Sequence, residues 1–170
     1  IIHAQLMRED QVRRAADLGT VPSFFSAHAF YWGDWHRQSF GESRARNISP
    51  ARWAVEYGVP FTLHNDAPVV PPDMARLLWA AVTRTTRSDF VLGPEQRLST
   101  MEALHALTLG GAYQLFEEDR KGSLRAGKQA DLVILDANPL SASPDALQEL
   151  EVLETFSRGR SVFQAAADGR

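Results

Sequence analysis

The stretch Phe61-Thr62-Leu63-His64-Asn65-Asp66-Ala67-Pro68-Val69 constrains this chain more than any other. Phe61, Leu63 and Asn65 alternate with Thr62, His64 and Asp66. Residues two apart share a face of a β-strand, so a strand over 61–65 sends His64 and Asp66 out together at its C-terminal end. Pro68 lacks an N–H and cannot continue a central ladder, so the strand stops before it. Parallel α/β folds put their chemistry at that end of a strand. An isolated H-x-D is more often a packed polar histidine followed by a turn, and the rest of the chain shifts that balance.

Alternating elements surround this strand. Residues 1–5 read as a short strand. Arg8 to Leu18 reads as a helix, with Val12, Ala15 and Ala16 at helical spacing and Gly19 as its stop. Residues 21–26 form the next strand. His28 to Ser49 reads as a long connection carrying Phe30, Tyr31, Trp32, Trp35 and Phe40. Connections of that length are often functional, so it is expected to wall an apolar pocket, with a minor core as the alternative. Ser49 is read as N-cap and Pro50 as first residue of a short helix. Asp73 to Thr83 is a further helix. Ser99-Thr100-Met101-Glu102 is a capping box that opens another, broken by Gly110-Gly111 before a last helix over 112–117. Strands alternating with helices predict a parallel sheet. From about residue 122 the pattern changes. Residues 130–136 read as a buried strand, and 152–157 and 161–164 as a hairpin across Arg158-Gly159-Arg160. The division is thus 1–121 and 122–170.

The 170 residues suffice for one domain with a core, and 44% hydrophobic with 23% charged residues is a globular balance. A net charge of −3 argues against nucleic acid or an anionic membrane as partner. The absence of cysteine excludes disulfides and thiolate chemistry and fits a reducing compartment, so a cytoplasmic location is expected. No run of about 18 apolar residues predicts a membrane span. The opening Ile1-Ile2-His3-Ala4-Gln5 is no signal peptide and reads as the second half of a strand, as in a truncated chain.

Three successive strand tips carry metal-competent groups: His3, His28, and His64 with Asp66. Parallel strands bring such tips to one mouth. Imidazole suits zinc and similar divalent metals, and a carboxylate beside a metal-bound water can act as its base. His36 and His105 lack that placement and read as structural. Arg84 and Arg87 follow a helix, where they bind anions or, more readily, complement its C-terminal dipole. No G-x-S-x-G, G-x-G-x-x-G or Walker sequence is present.

Taken in order, Ile2-His3-Ala4-Gln5, Tyr31-Trp32-Gly33-Asp34-Trp35-His36-Arg37, His64-Asn65-Asp66-Ala67-Pro68-Val69, Lys121-Gly122-Ser123 and Gly127-Lys128-Gln129-Ala130-Asp131-Leu132-Val133-Ile134-Leu135-Asp136 resemble the amidohydrolase superfamily. The branch is amidohydrolase family three, which includes N-substituted formamide deformylases. The resemblance implies a metal-dependent hydrolase of amide, formamide or related C–N bonds, on a TIM-type (β/α)8 barrel with a small β-sandwich. By motif His3 matches the sixth-strand histidine, or the fifth, and is expected to hold a divalent metal, most readily Zn. Asp66 matches the eighth-strand Asp, the general base. His28, Tyr31, Trp32, Asp34 and His64 are expected to contact substrate. The family's first-strand H-x-H is missing, and a barrel needs about 250 residues. The chain therefore reads as an α/β C-terminal portion of the barrel plus returning sandwich strands, inactive alone. Its expected partners are a small amide-type substrate and, across the open sheet edges, a second copy or the missing N-terminal part of the barrel. The competing reading is a non-catalytic scaffold whose metal centre has decayed; an upstream H-x-H separates the two.

Overall fold

The computed structural model describes residues 1–166. The first three strand signals contract to two-residue cores: β1 (Ile2–His3), β2 (Ser23–Phe24) and β3 (Thr62–Leu63). They are parallel, in the order β1-β2-β3. Parallel neighbours need crossovers, which α1 (Glu9–Asp17) supplies first, then α2 (His28–Phe40), α3 (Glu42–Ala45) and α4 (Ala51–Glu56). The register aligns Ile2 with Ser23 and Ser23 with Thr62; it aligns His3 with Phe24 and Phe24 with Leu63. β1 ends abruptly because His3 and Ala4 turn to positive φ, 63° and 46°.

Residues 28–40 and 42–45 are helical, which corrects the expected unstructured connection. Ala29, Gly33 and His36 recur at helical spacing and form the buried face of α2. Aromatics on the other faces obscure that period in the sequence. Ser49 does not cap α4: its φ is 48° and its hydroxyl donates to the Phe25 carbonyl at 3.3 Å. The capping box does open α6 (Thr100–Leu107), with Ser99 and Glu102 bonded reciprocally. The break after α6 falls at Thr108, and both glycines lie inside α7 (Leu109–Gln114). Gly110 is there for close approach: a Cβ would sit 2.6 Å from the Phe61 carbonyl oxygen at the entry to β3.

The core gathers between sheet and helices. Val12, Phe24, Phe25 and Leu77 are fully buried, each worth about 1.5–3 kcal/mol of transfer free energy. α5 (Met74–Thr83) buries every residue from Leu77 to Thr83, and Asp73 caps it by accepting from the Arg76 N–H at 2.8 Å. Arg84 follows with φ 56° and is itself buried. Its guanidinium donates to the carbonyls of Leu92 (2.7 Å), Ile48 (3.0 Å) and Arg46 (3.2 Å). Neither anion binding nor the helix dipole, the two sequence readings of Arg84, accounts for this. Burial pushes its pKa down to about 10, which leaves it charged at neutral pH.

A second sheet, antiparallel in the order β4-β5-β6, contains β4 (Leu132–Leu135), β5 (Val152–Ser157) and β6 (Arg160–Gln164). The hairpin turns on Arg158-Gly159, both at positive φ, as a tight turn between twisted strands requires. β4 is not buried as expected: Val133 and Ile134, which point to opposite faces of the strand, are 53% and 44% exposed. The 3₁₀ turn Pro144–Glu149 ties this part to the first by placing Leu147, fully buried, in the same apolar cluster as α5. Among the described residues no helix is long and apolar enough to cross a membrane.

Replacing Arg84 by Met should leave three carbonyls without their shared donor. We expect a loss on the order of 3 kcal/mol in denaturant unfolding. A change within about 0.5 kcal/mol, the ordinary surface range, would show that water replaces the guanidinium freely.

Candidate metal centre

β3 delivers the site's last two groups. His64 lies two residues past Thr62 and emerges on the same face; its N–H still bonds the Phe24 carbonyl at 3.0 Å. Asp66, at φ 61°, turns the chain away. The turn is pinned by the Val69 N–H donating to the Asp66 carbonyl (2.9 Å) and the Asn65 amide donating to the Pro71 carbonyl (2.7 Å). His3 arrives from β1. Its Nδ1 is 2.9 Å from His64 Nε2, and its Nε2 is 3.7 Å from Asp66 Oδ2. His64 Nδ1 lies 2.8 Å from Ser23 Oγ. The backbone turn at Phe25–His28 starts α2 and brings His28 alongside, its ring 5.7 Å from that of His3 and 4.3 Å from that of Phe25. Trp32, one turn along, packs edge-on against His28 at 5.5 Å.

The His28 and His64 rings are held neutral. Burial lowers the His28 pKa to about 3, helped by the neighbouring His36, His3 and His64. Burial also lowers His64, with His3 adding to the effect and Asp66 opposing it. Neutral imidazoles keep a lone pair. His3, His64 and Asp66 each offer one donor atom, all within 4.8 Å of one another, and this nitrogen and oxygen set fits a zinc-like divalent cation.

The structure gathers His3, His28, Trp32, His64 and Asp66 into one cluster. Tyr31 lies behind Trp32, at 5.5 Å, with the Arg87 guanidinium 5.1 Å above its ring. Asp34 is not brought to the cluster. Its carboxylate accepts from the hydroxyls of Thr86 (2.8 Å) and Ser88 (2.6 Å) and from the Ser88 N–H (3.1 Å), clamping α2 to the loop after α5. Sequence reading set His36 aside, yet it is buried with its ring 6.0 Å from that of His28, and the Gln5 amide donates to its Nε2 at 3.2 Å. The 28, 32, 36 spacing carried that signal, hidden by treating the segment as a loop. Ser23, which bonds His64, was missed for want of any motif, as were Thr62, 2.7 Å from the Ser23 hydroxyl, and Gln114, whose Oε1 accepts from Thr62 at 2.7 Å.

A concavity of about 1190 Å³ lies at the other end of β3 among Val59, Phe61, Leu109, Tyr113 and Arg125. The strand's C-terminal tip, where the titratable groups converge, is the chemically equipped end.

This parallel sheet with histidine and carboxylate at its strand tips is that of a metal-dependent hydrolase fold, and the chain belongs to the amidohydrolase family, whose model matches residues 1–163. It is 32% identical over 158 residues to an N-substituted formamide deformylase of Arthrobacter pascens, covering 92% of this chain and 29% of that protein. Over 171 residues it is 26% identical to the putative amidohydrolase YtcJ of Bacillus subtilis, covering 96% and 32%. A metal-dependent hydrolase from Pyrococcus furiosus superposes with a TM-score of 0.70 at 32% identity, over 83% of this chain and 28% of that one. Guanine deaminase of Escherichia coli shares the fold, with a TM-score of 0.70 at 21% identity over 96% of this chain and 38% of that one. The chain thus spans less than a third of the length of these two curated relatives, and its first three strands form an open parallel sheet, not a closed barrel.

Asp34→Ala should lower the melting temperature by freeing the loop at 86–90, and should leave metal uptake at the wild-type level. Loss of metal in this variant would mean that Asp34 reaches the strand-tip cluster after all.

Proposed function

We propose that the full protein hydrolyses a C–N bond of a small amide-type molecule, with His3 holding a divalent metal and Asp66 acting as general base. The observation that carries this reading is the facing pair His3 Nε2 and Asp66 Oδ2 at the tips of two parallel strands, with side chains 40% and 36% exposed and open to water and substrate. Relatives named for formamide deformylation and guanine deamination support C–N chemistry. A zinc ion, when bound, polarises the substrate carbonyl and makes water more acidic. Asp66 accepts the proton of the attacking water as the new C–O bond forms. It passes that proton to the nitrogen as the C–N bond breaks, so that an amine leaves. His28, neutral and half-buried, and Trp32, packed against it, flank this pair and would contact the substrate, with Tyr31 behind. Asp34 has no part in it, since its oxygens are engaged elsewhere.

We further propose that residues 1–121 are the last three βα units of an eight-stranded barrel, and that the antiparallel sheet from 122 onward belongs to its returning β-layer. The parallel order of β1-β2-β3 and the separate β4-β5-β6 sheet support this division.

Asp66→Asn in the full protein should lower kcat on an N-substituted formamide by about 10²–10⁴-fold, the usual worth of a positioned acid–base group, with metal content unchanged. Activity retained at the wild-type rate would refute the assignment.

A further inference from the structure

The two groups that face each other in the metal centre both stand on left-handed backbone, His3 at φ 63° and Asp66 at φ 61°. Few residues other than glycine adopt that conformation, and it persists where surrounding contacts over-determine it. Among the described residues the ladder between β3 and β2 ends with His64, whose N–H donates to the Phe24 carbonyl, so pairing does not hold Asp66. The tip of the loop that follows, Ala67 to Val69, is exposed and gives no support by itself. The Asn65 side chain supplies the missing link. Its Nδ2 donates to the Pro71 carbonyl at 2.7 Å, and the same oxygen accepts from the Asp73 N–H at 2.7 Å. Asp73 in turn caps α5, and Val70, just before Pro71, is buried in the apolar cluster that α5 shares. The peptide that enters Asp66 is thereby tied to a packed helix across the base of the loop.

From this geometry we propose that Asn65 is a positioning residue for Asp66, fixing the left-handed turn that aims Asp66 Oδ2 at His3 Nε2 across 3.7 Å. The proposal rests on the reading of Asp66 as general base. A turn closed for folding alone already has its bond, from the Val69 N–H to the Asp66 carbonyl at 2.9 Å. Asn65 adds a second closure that carries a penalty: its Oδ1 is buried, and no described residue donates to it. A buried acceptor left unpaired opposes folding, whereas an apolar side chain of that size would not. What the amide contributes is direction. Released from Pro71, Asp66 is free to relax to the negative φ that residues with a Cβ favour, and that rotation swings its carboxylate off the line to His3. Misplacing a reacting group by about 1 Å can lower the rate on the order of 10²-fold. No described hydrogen bond joins the Asn65 amide to His3, His64 or the Asp66 carboxylate, so its effect passes through the backbone.

The test uses full protein loaded with zinc and an N-substituted formamide as substrate. Asn65→Leu removes the donor at nearly constant size. It should lower kcat on the order of 10²-fold and leave KM and zinc content near the wild-type values. Asn65→Gln, whose longer arm can still donate to Pro71, should recover part of the loss. In an Asp66→Asn background Asn65→Leu should lower kcat by no more than about twofold further, because it acts through the group already removed. The crystal structure of Asn65→Leu should show Asp66 at negative φ, with Oδ2 moved off His3 Nε2. If Asn65→Leu does not fold, Asn65→Asp, of the same shape but with no donor, is read by the same criteria. Wild-type kcat without the donor, an undiminished loss in the Asp66→Asn background, or an unmoved Asp66 in the crystal would each overturn the proposal. Were Asp66→Asn itself to keep the wild-type rate, the general-base reading would fail, while the crystal structures would still decide whether Asn65 sets the turn.

Discussion

The parallel register of three two-residue strands is the constraint on which the remaining structure depends. Each strand is too short to be stable by its own pairing, so the helices that cross between them must hold the alignment. Phe24 and Phe25, fully buried, show how this is done: one side chain enters the core with Leu77, and the next lies under the histidines. A one-residue slip of β2 would exchange those faces and bring a phenylalanine to the place of Ser23. The polar pair Ser23 and Thr62 is therefore a consequence of register as much as of residue choice.

The electrostatics of the centre follow from the same packing. His28 is the first residue of α2, where the helix dipole disfavours a positive charge, and it is also desolvated by Phe25 and Trp32. Three more imidazoles stand close by, and each would repel a proton on it. A cluster of histidines packed this way is a set of lone pairs and N–H donors more than a set of charges. Among the described residues the charged group that faces His3 is the Asp66 carboxylate, left half-exposed at the rim. The site thus grades from neutral and buried beneath to anionic and open above, which suits a cation reached from solvent.

Much of the fold was legible wherever one local rule acted alone. The capping box at Ser99, the hairpin around Gly159 and the α1 pattern of Val12 and Ala15 are local signals, and the structure follows them. Reading failed where tertiary contacts outweighed local chemistry. Ser49 looks like a cap, but its hydroxyl is claimed by Phe25. Gly110-Gly111 looks like a break, but close contact with Phe61 makes a glycine necessary inside α7. Asp34 sat in a motif-rich segment, yet its partners Thr86 and Ser88 lie more than fifty residues on, beyond any local pattern. His3, His64 and Asp66 came together as alternation and strand order implied. The groups beneath them, Ser23, Thr62 and Gln114, are ordinary residues given meaning only by adjacency in space.

Arg84 has a further consequence for how the molecule opens. Its guanidinium joins the end of α5 to the carbonyls at Arg46 and Ile48 before α4 and to Leu92 beyond the next turn. No one of these segments can detach without exposing the charge to a cavity that lacks the others. Their fluctuations are therefore coupled, and the amides of residues 45–48 and 84–92 form one cooperative unit for hydrogen exchange, although nearly forty residues separate them in the chain.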